Sequence, residues 1–235
     1  MFPIPNRIAS ALIAFTGFAL SACQQAIPSQ ALAKTPEEVV YKVSFTSQWT
    51  AQNFPLEYPP AAIVGGPHFS GLIGASHGQG FQLYQEGKLP SPGLERLSEE
   101  GKHDPLNQEI QGAIAKGEAG FLFESGPLRD FSQNVETTLQ ANDQNPMVSV
   151  VAMIAPSPDW FAGARDIPLK EQGQWVQSRQ VTLYAYDSGG DEGQTYKAPD
   201  MDNQPKKPTH LAKDNPHFLK DGKLVPVATL TFTRQ

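Results

Sequence analysis

The sequence predicts an all-β fold, an antiparallel β-sandwich carrying a small helical insertion, and three observations lead there. Period-two alternation opens the domain at Tyr41-Lys42-Val43-Ser44-Phe45-Thr46-Ser47-Gln48-Trp49, which puts Tyr41, Val43, Phe45, Ser47 and Trp49 on one face. Helical periodicity is confined to one region, residues 94–116. The regular strand–helix–strand succession that a parallel sheet requires is missing.

The elements follow in order. From Asn53 to Gly80 the chain is rich in Pro and Gly, with Pro59-Pro60 and Gly65-Gly66-Pro67, and reads as extended loop. Leu94 to Glu100 reads as a helix stopped by Gly101, and Leu106 to Lys116 as a second, with Leu106, Ile110, Ala113 and Ile114 on one face before Gly117. Beyond Phe121 the pattern returns to strands: Asn134–Leu139, Met147–Ala155, Arg179–Tyr186 and Val225–Thr233. Residues 197–222 form a long polar connection that must bring the chain back for the last strand.

The N-terminus bounds the compartment. Arg7 precedes an apolar stretch, Ile8 to Leu20, too short to span a membrane, followed by Leu20-Ser21-Ala22-Cys23. That sequence resembles the bacterial lipobox, so residues 1–22 are expected to be a lipoprotein signal and Cys23, the only cysteine, the acylated residue. Acyl chains on Cys23 would tether the mature protein to the cell envelope, with the outer membrane or cell surface favoured and residues 23–39 as a flexible linker. The domain itself then runs from residue 40 to 235. Loss of the signal moves the net charge from −6 to −7. With its cations scattered, the chain has no electrostatic footprint for nucleic acid.

Two acidic turns carry the chemistry. Pro156-Ser157-Pro158-Asp159-Trp160-Phe161 closes the strand Met147–Ala155, and Asp187-Ser188-Gly189-Gly190-Asp191-Glu192-Gly193 closes Arg179–Tyr186. If those strands lie together, Asp159, Asp187 and Asp191 reach one rim, where clustered carboxylates suit a hard cation such as calcium. Aspartates also favour such turns with no metal present. Trp160, Phe161, Trp49 and Trp175 read as core residues. His68 and His77 are nine positions apart in a Gly-rich stretch, a weak basis for a transition-metal site. Gly74-Ala75-Ser76-His77-Gly78 has the form of a nucleophile elbow, but alternating Gln79 to Tyr84 follows it where a helix is required, so a serine hydrolase is not expected.

Several ordered blocks together resemble the spondin N-terminal domain family. They are Tyr41-Val43-Phe45-Trp49, Pro67-His68-Phe69-Ser70, Gly74-Ala75-Ser76-His77, Gly93-Leu94 with Glu99 and Gly101, the run Val148 to Gly163, and Leu183-Tyr184-Ala185-Tyr186-Asp187-Ser188-Gly189-Gly190-Asp191-Glu192-Gly193. The resemblance implies a C2-like sandwich with a divalent cation site, used in animals for adhesion. It places ligands at Asp159 and Asp187, 28 positions apart. The family's third ligand, a glutamate, falls at Gln140, which offers only a neutral oxygen, with Asp143 as a substitute after a small register shift. Calcium is the expected cofactor, and an extracellular protein or glycan the expected partner. An envelope lipoprotein with purely structural acidic turns, and a calcium-dependent phospholipid binder, are the alternatives.

Overall fold

The computed structural model describes residues 37–63 and 66–235. The signal sequence, Cys23 and most of the expected linker lie outside the described residues. Strand β1 (Glu38–Ser47) begins two residues before the expected domain boundary. It is followed by β2 (His68–His77), helices α1 (Pro92–Glu100) and α2 (Leu106–Ala115), β3 (Ala119–Leu128) and β4 (Val135–Asn142). Next come β5 (Met147–Ala155), β6 (Trp160–Pro168), a small hairpin of β7 (Lys170–Glu171) and β8 (Gln174–Trp175), and β9 (Ser178–Asp187). The polar connection then holds β10 (His210–Leu211) and the hairpin β11 (Leu219–Lys220) with β12 (Lys223–Leu224), before β13 (Ala228–Arg234).

All pairings are antiparallel, in the order β3-β2-β5-β6-β9-β13-β1-β4. Strand β9 belongs to both layers of the sandwich. Its first part, Ser178 to Leu183, pairs with β13, and its last part, Tyr184 to Asp187, pairs with β6. Between the layers lie Tyr41, Val43, Phe45, Phe69, Val150, Ala152, Trp160, Leu183, Leu230 and Phe232, all essentially inaccessible to solvent. Alternation along β6 sends Trp160 into this core and Phe161 to the opposite face, where Ile73, Val151, Leu94, Leu97 and Ile110 form a second cluster beneath the helices.

Three expectations need correction. The stretch Asn53–Gly80, read as loop, contains β2, which is central and buried. Its glycines permit close strand approach: a Cβ on Gly74 would lie 2.2 Å from the Ser149 carbonyl, and one on Gly71 2.1 Å from that of Ser125. Strands β3 and β6 likewise arise where no strand was expected. The polar connection, whose length suggested a functional or mobile segment, is tied down, because Asn203, Thr209, Ala212, His217 and Phe218 are buried.

Helix α1 forms where its caps dictate. Ser91 accepts from the Leu94 N–H at 3.1 Å, Pro92 fills the first turn, and Gly101 ends the helix at φ 68° with its N–H on the Leu97 carbonyl. Helix α2 is tied to it through Glu109, whose carboxylate accepts from the Gly93 N–H at 2.7 Å and from the Ser91 hydroxyl at 2.6 Å. No helix among the described residues is long and apolar enough to cross a membrane.

Candidate functional site

The two acidic turns do meet. Trp160 and Asp187 are register partners at the ends of β6 and β9, so Asp159 stands beside Asp187. Asp159 is fully buried, and its Oδ2 accepts from four donors: the Gly190 N–H at 2.8 Å, the Gly189 N–H at 2.9 Å, the Ser188 hydroxyl at 3.0 Å and the Asp191 N–H at 3.2 Å. Successive backbone N–H groups make the 187–191 turn a nest for that oxygen. Its other oxygen, Oδ1, is buried with no hydrogen-bond partner. Asp187 accepts from the Gly189 N–H at 2.9 Å through Oδ1.

Burial dominates the electrostatics despite the nest. It pushes the Asp159 carboxyl up to about 6, with the neighbouring Asp187 charge adding to the rise and the N–H donors opposing it. Burial also raises Asp187, against the pull of His210. Two carboxyls side by side, both resisting ionisation, leave room for a positive charge.

Asp191 is a brace and not a free ligand. Its Oδ1 accepts from the Gly193 N–H at 2.6 Å and its Oδ2 from the Met201 N–H at 2.5 Å. Further bonds from Asn203 and Lys207 N–H groups to the Gly190 and Gly189 carbonyls clamp the turn against the polar connection.

Gln140 and Asp143 do not join the corner. Gln140 is exposed opposite Val40 near the start of β1, whereas Asp187 lies beyond the β1 end at Ser47. Asp143 is exposed in the β4–β5 turn and paired with Lys170. The nine residues of β5 separate that turn from Asp159, about 30 Å at ordinary strand rise. Turns at opposite ends of one strand cannot share an ion.

Glu99 escaped the sequence reading as a site residue. It sits on α1 one turn beyond Glu95, and its Oε1 is packed against Gly190, where a Cβ would lie 2.4 Å away. That oxygen has no hydrogen-bond partner. Burial first, then the charges of Glu95 and Asp159, push the Glu99 carboxyl up to about 7. The available signal was two glutamates at i and i+4, a like-charge pair that destabilises a helix unless something positive faces it. Lys206 pairs with Glu95. Among the described residues, no set of three or more His, Cys, Asp and Glu side chains is arranged to hold a metal. The donors at the corner are nevertheless all oxygen, and the orphaned Asp159 Oδ1 fits a hard cation.

His68 and His77 occupy opposite ends of β2 and serve no common metal. His77 is buried, with its ring nitrogens on the Gly78 carbonyl at 2.7 Å and the Ser149 hydroxyl at 2.8 Å. Ser76 lies inside β2, fully buried, and its hydroxyl accepts from the Phe121 N–H at 3.0 Å. The strand-to-helix turn of a nucleophile elbow is not formed there.

Comparison with known proteins places this arrangement in context. The Spondin_N family profile matches residues 39–219. Spondin-2 of Rattus norvegicus is 30% identical over 207 residues, covering 83% of this chain and 61% of that protein. Spondin-2 of Homo sapiens is 27% identical over 243 residues, covering 97% and 71%. Spondin-1 of Homo sapiens is 29% identical over 181 residues, covering 71% of this chain and 21% of that protein. The chain thus spans about three-fifths of the rat Spondin-2 and a fifth of Spondin-1. The profile takes in α1, both acidic turns and most of the polar connection that clamps them, and on that match the chain belongs to the Spondin_N family.

Proposed function

We propose that this protein is a non-enzymatic binding module of the bacterial cell envelope, anchored through acyl chains on Cys23, that holds a divalent cation such as calcium at Asp159 and Asp187. The observation that carries the cation reading is Asp159: it is fully buried, stands beside a second carboxyl, and keeps Oδ1 without a partner. A cation there neutralises both carboxyls and ties the end of β6 to the 187–193 turn. Loops held in this way present a surface to an extracellular protein or glycan, the class of partner that the family resemblance suggests. A bound cation supplies charge and coordination only. The chain supplies the nest that fixes Asp159 and the brace through Asp191 and Asn203 that fixes the turn.

Thermal unfolding in millimolar calcium and in EDTA tests the reading. Because a ligand bound only by the folded state raises its stability, calcium is expected to raise the midpoint, and Asp159→Asn and Asp187→Asn to abolish the increase. Equal midpoints in the two conditions for the unaltered protein overturn the cation site. Release of the protein from membranes without detergent, or a mature N-terminus other than an acylated Cys23, overturns the anchor.

A further inference from the structure

We propose that Glu99 and Asn203 are ligands that complete the cation site, so that the helical insertion and the polar connection both close on the ion. This rests on the cation reading of Asp159 and Asp187 and adds oxygens that neither acidic turn contains.

Among the described residues, three carboxyl or amide oxygens are buried with no hydrogen-bond partner: Glu99 Oε1, Asp159 Oδ1 and Asn203 Oδ1. They come from three separate parts of the chain, and all three residues meet at Gly190. The Gly190 N–H donates to the second Asp159 oxygen at 2.8 Å, its carbonyl accepts from the Asn203 N–H at 2.8 Å, and a Cβ added to it would lie 2.4 Å from Glu99 Oε1. Orphaned acceptors are costly in a protein interior, and three on residues that all contact one glycine point to a common partner.

The orientation of Asn203 is chemically determined. Its Nδ2 donates to the Asp191 carbonyl at 2.7 Å and the Gly189 carbonyl at 3.1 Å, and a reversed amide would set oxygen against oxygen at both. Its Oδ1 is therefore held as a free acceptor, although the side chain is only 2% exposed. Among the described residues Glu99 has no cation paired with it, and the neighbouring Lys206 is engaged by Glu95.

Glu99, Asp159 and Asn203 contribute two carboxylates and an amide, an all-oxygen set, and Asp187 neighbours Asp159 alone. Calcium accepts that set at flexible geometry, whereas later transition metals favour nitrogen or sulfur. A surface cleft of about 440 Å³ lined by Glu95, Glu99, Glu100 and Lys206 opens beside the corner and offers a route for the ion.

Calorimetric titration of the purified full-length protein with calcium alone tests the assignment, using Glu99→Gln, Gly190→Ala, Asn203→Ala and Asp159→Asn. Glu99→Gln preserves shape and removes the charge. Gly190→Ala drives a methyl into the Glu99 carboxylate. Each is expected to weaken calcium binding at least tenfold while leaving the EDTA midpoint of Glu99→Gln unchanged or raised, which separates lost binding from lost folding. Asn203→Ala is expected to weaken binding as well. If Glu99→Gln and Gly190→Ala bind calcium as the unaltered protein does while Asp159→Asn fails, the Glu99 assignment is overturned and the two-aspartate reading stands. If the unaltered protein shows no binding at millimolar calcium, both are overturned.

Discussion

At the scale of single residues, Asp159 sets the behaviour of the corner: four donors on one oxygen and none on the other. A pH dependence follows. With carboxyls raised to about 6 at Asp159 and about 7 at Glu99, the folded state binds more protons than the unfolded chain between the ordinary carboxyl range and those values. Stability therefore falls as pH rises through that window, and the cost is fully present above it. In EDTA, the midpoint is expected to be higher at pH 5.5 than at pH 7.5, and the difference to shrink in Glu99→Gln and in calcium. Because buried His77, lowered from its ordinary value, acts in the opposite sense, the deciding comparison is with the variant: a fall in midpoint no smaller in Glu99→Gln than in the unaltered protein contradicts the picture. Ser76 gives a second expectation. Buried and holding the Phe121 N–H, it should not react with a fluorophosphonate probe in the folded protein. Labelling there reopens the hydrolase question.

At the scale of elements, α1 is what sets Glu99 against Gly190. Ser91 caps it and receives α2 through Glu109, so Ser91→Ala loses a cap and a hydroxyl donor together. The cost is expected to be about 1 kcal/mol, or a midpoint drop of about 2–4 °C. If α1 carries a cation ligand, calcium affinity falls in the same variant, measured by the titration described above. Strand β2 shows the opposite kind of element, one whose glycines are structural. Gly74→Ala places a methyl 2.2 Å from a main-chain carbonyl of β5, which cannot yield without parting the strands. Loss of soluble folded protein is expected, and a variant with an unchanged midpoint disproves the close-packing account.

At the scale of the whole molecule, the sandwich core and the corner are one construction. Trp160 follows Asp159 directly and lies at 5.1–5.2 Å from the rings of Phe218 and Tyr196. Tyr196 in turn accepts from the Trp49 indole at 3.1 Å. Thus the polar connection is anchored in the same aromatic cluster that positions the site. Trp160→Ala is expected to cost about 3–5 kcal/mol by cavity formation, read by denaturant unfolding, and to abolish the calcium effect. A loss below about 1 kcal/mol means that the cavity collapses or that the cluster is not cooperative.

Much of this was legible in the chain. Alternation identified β1, Gly101 marked the end of the first helix, and ordered blocks with Asp159 and Asp187 carried the family. One error was avoidable from sequence alone: successive turns of an antiparallel meander fall at alternate ends, and the strand Met147–Ala155 separates Asp143 from Asp159. The sequence by itself determined the all-β class, the strands that alternate or run apolar such as β1, β5, β9 and β13, the acidic turns and the family, because those are properties of local pattern and ordered motif. Only the tertiary structure decided that the glycine-rich stretch is a central strand, and that Glu99 and Asn203 gather at Gly190 while Gln140 does not. Their meeting depends on helix packing and chain return across long separations, which no local period encodes.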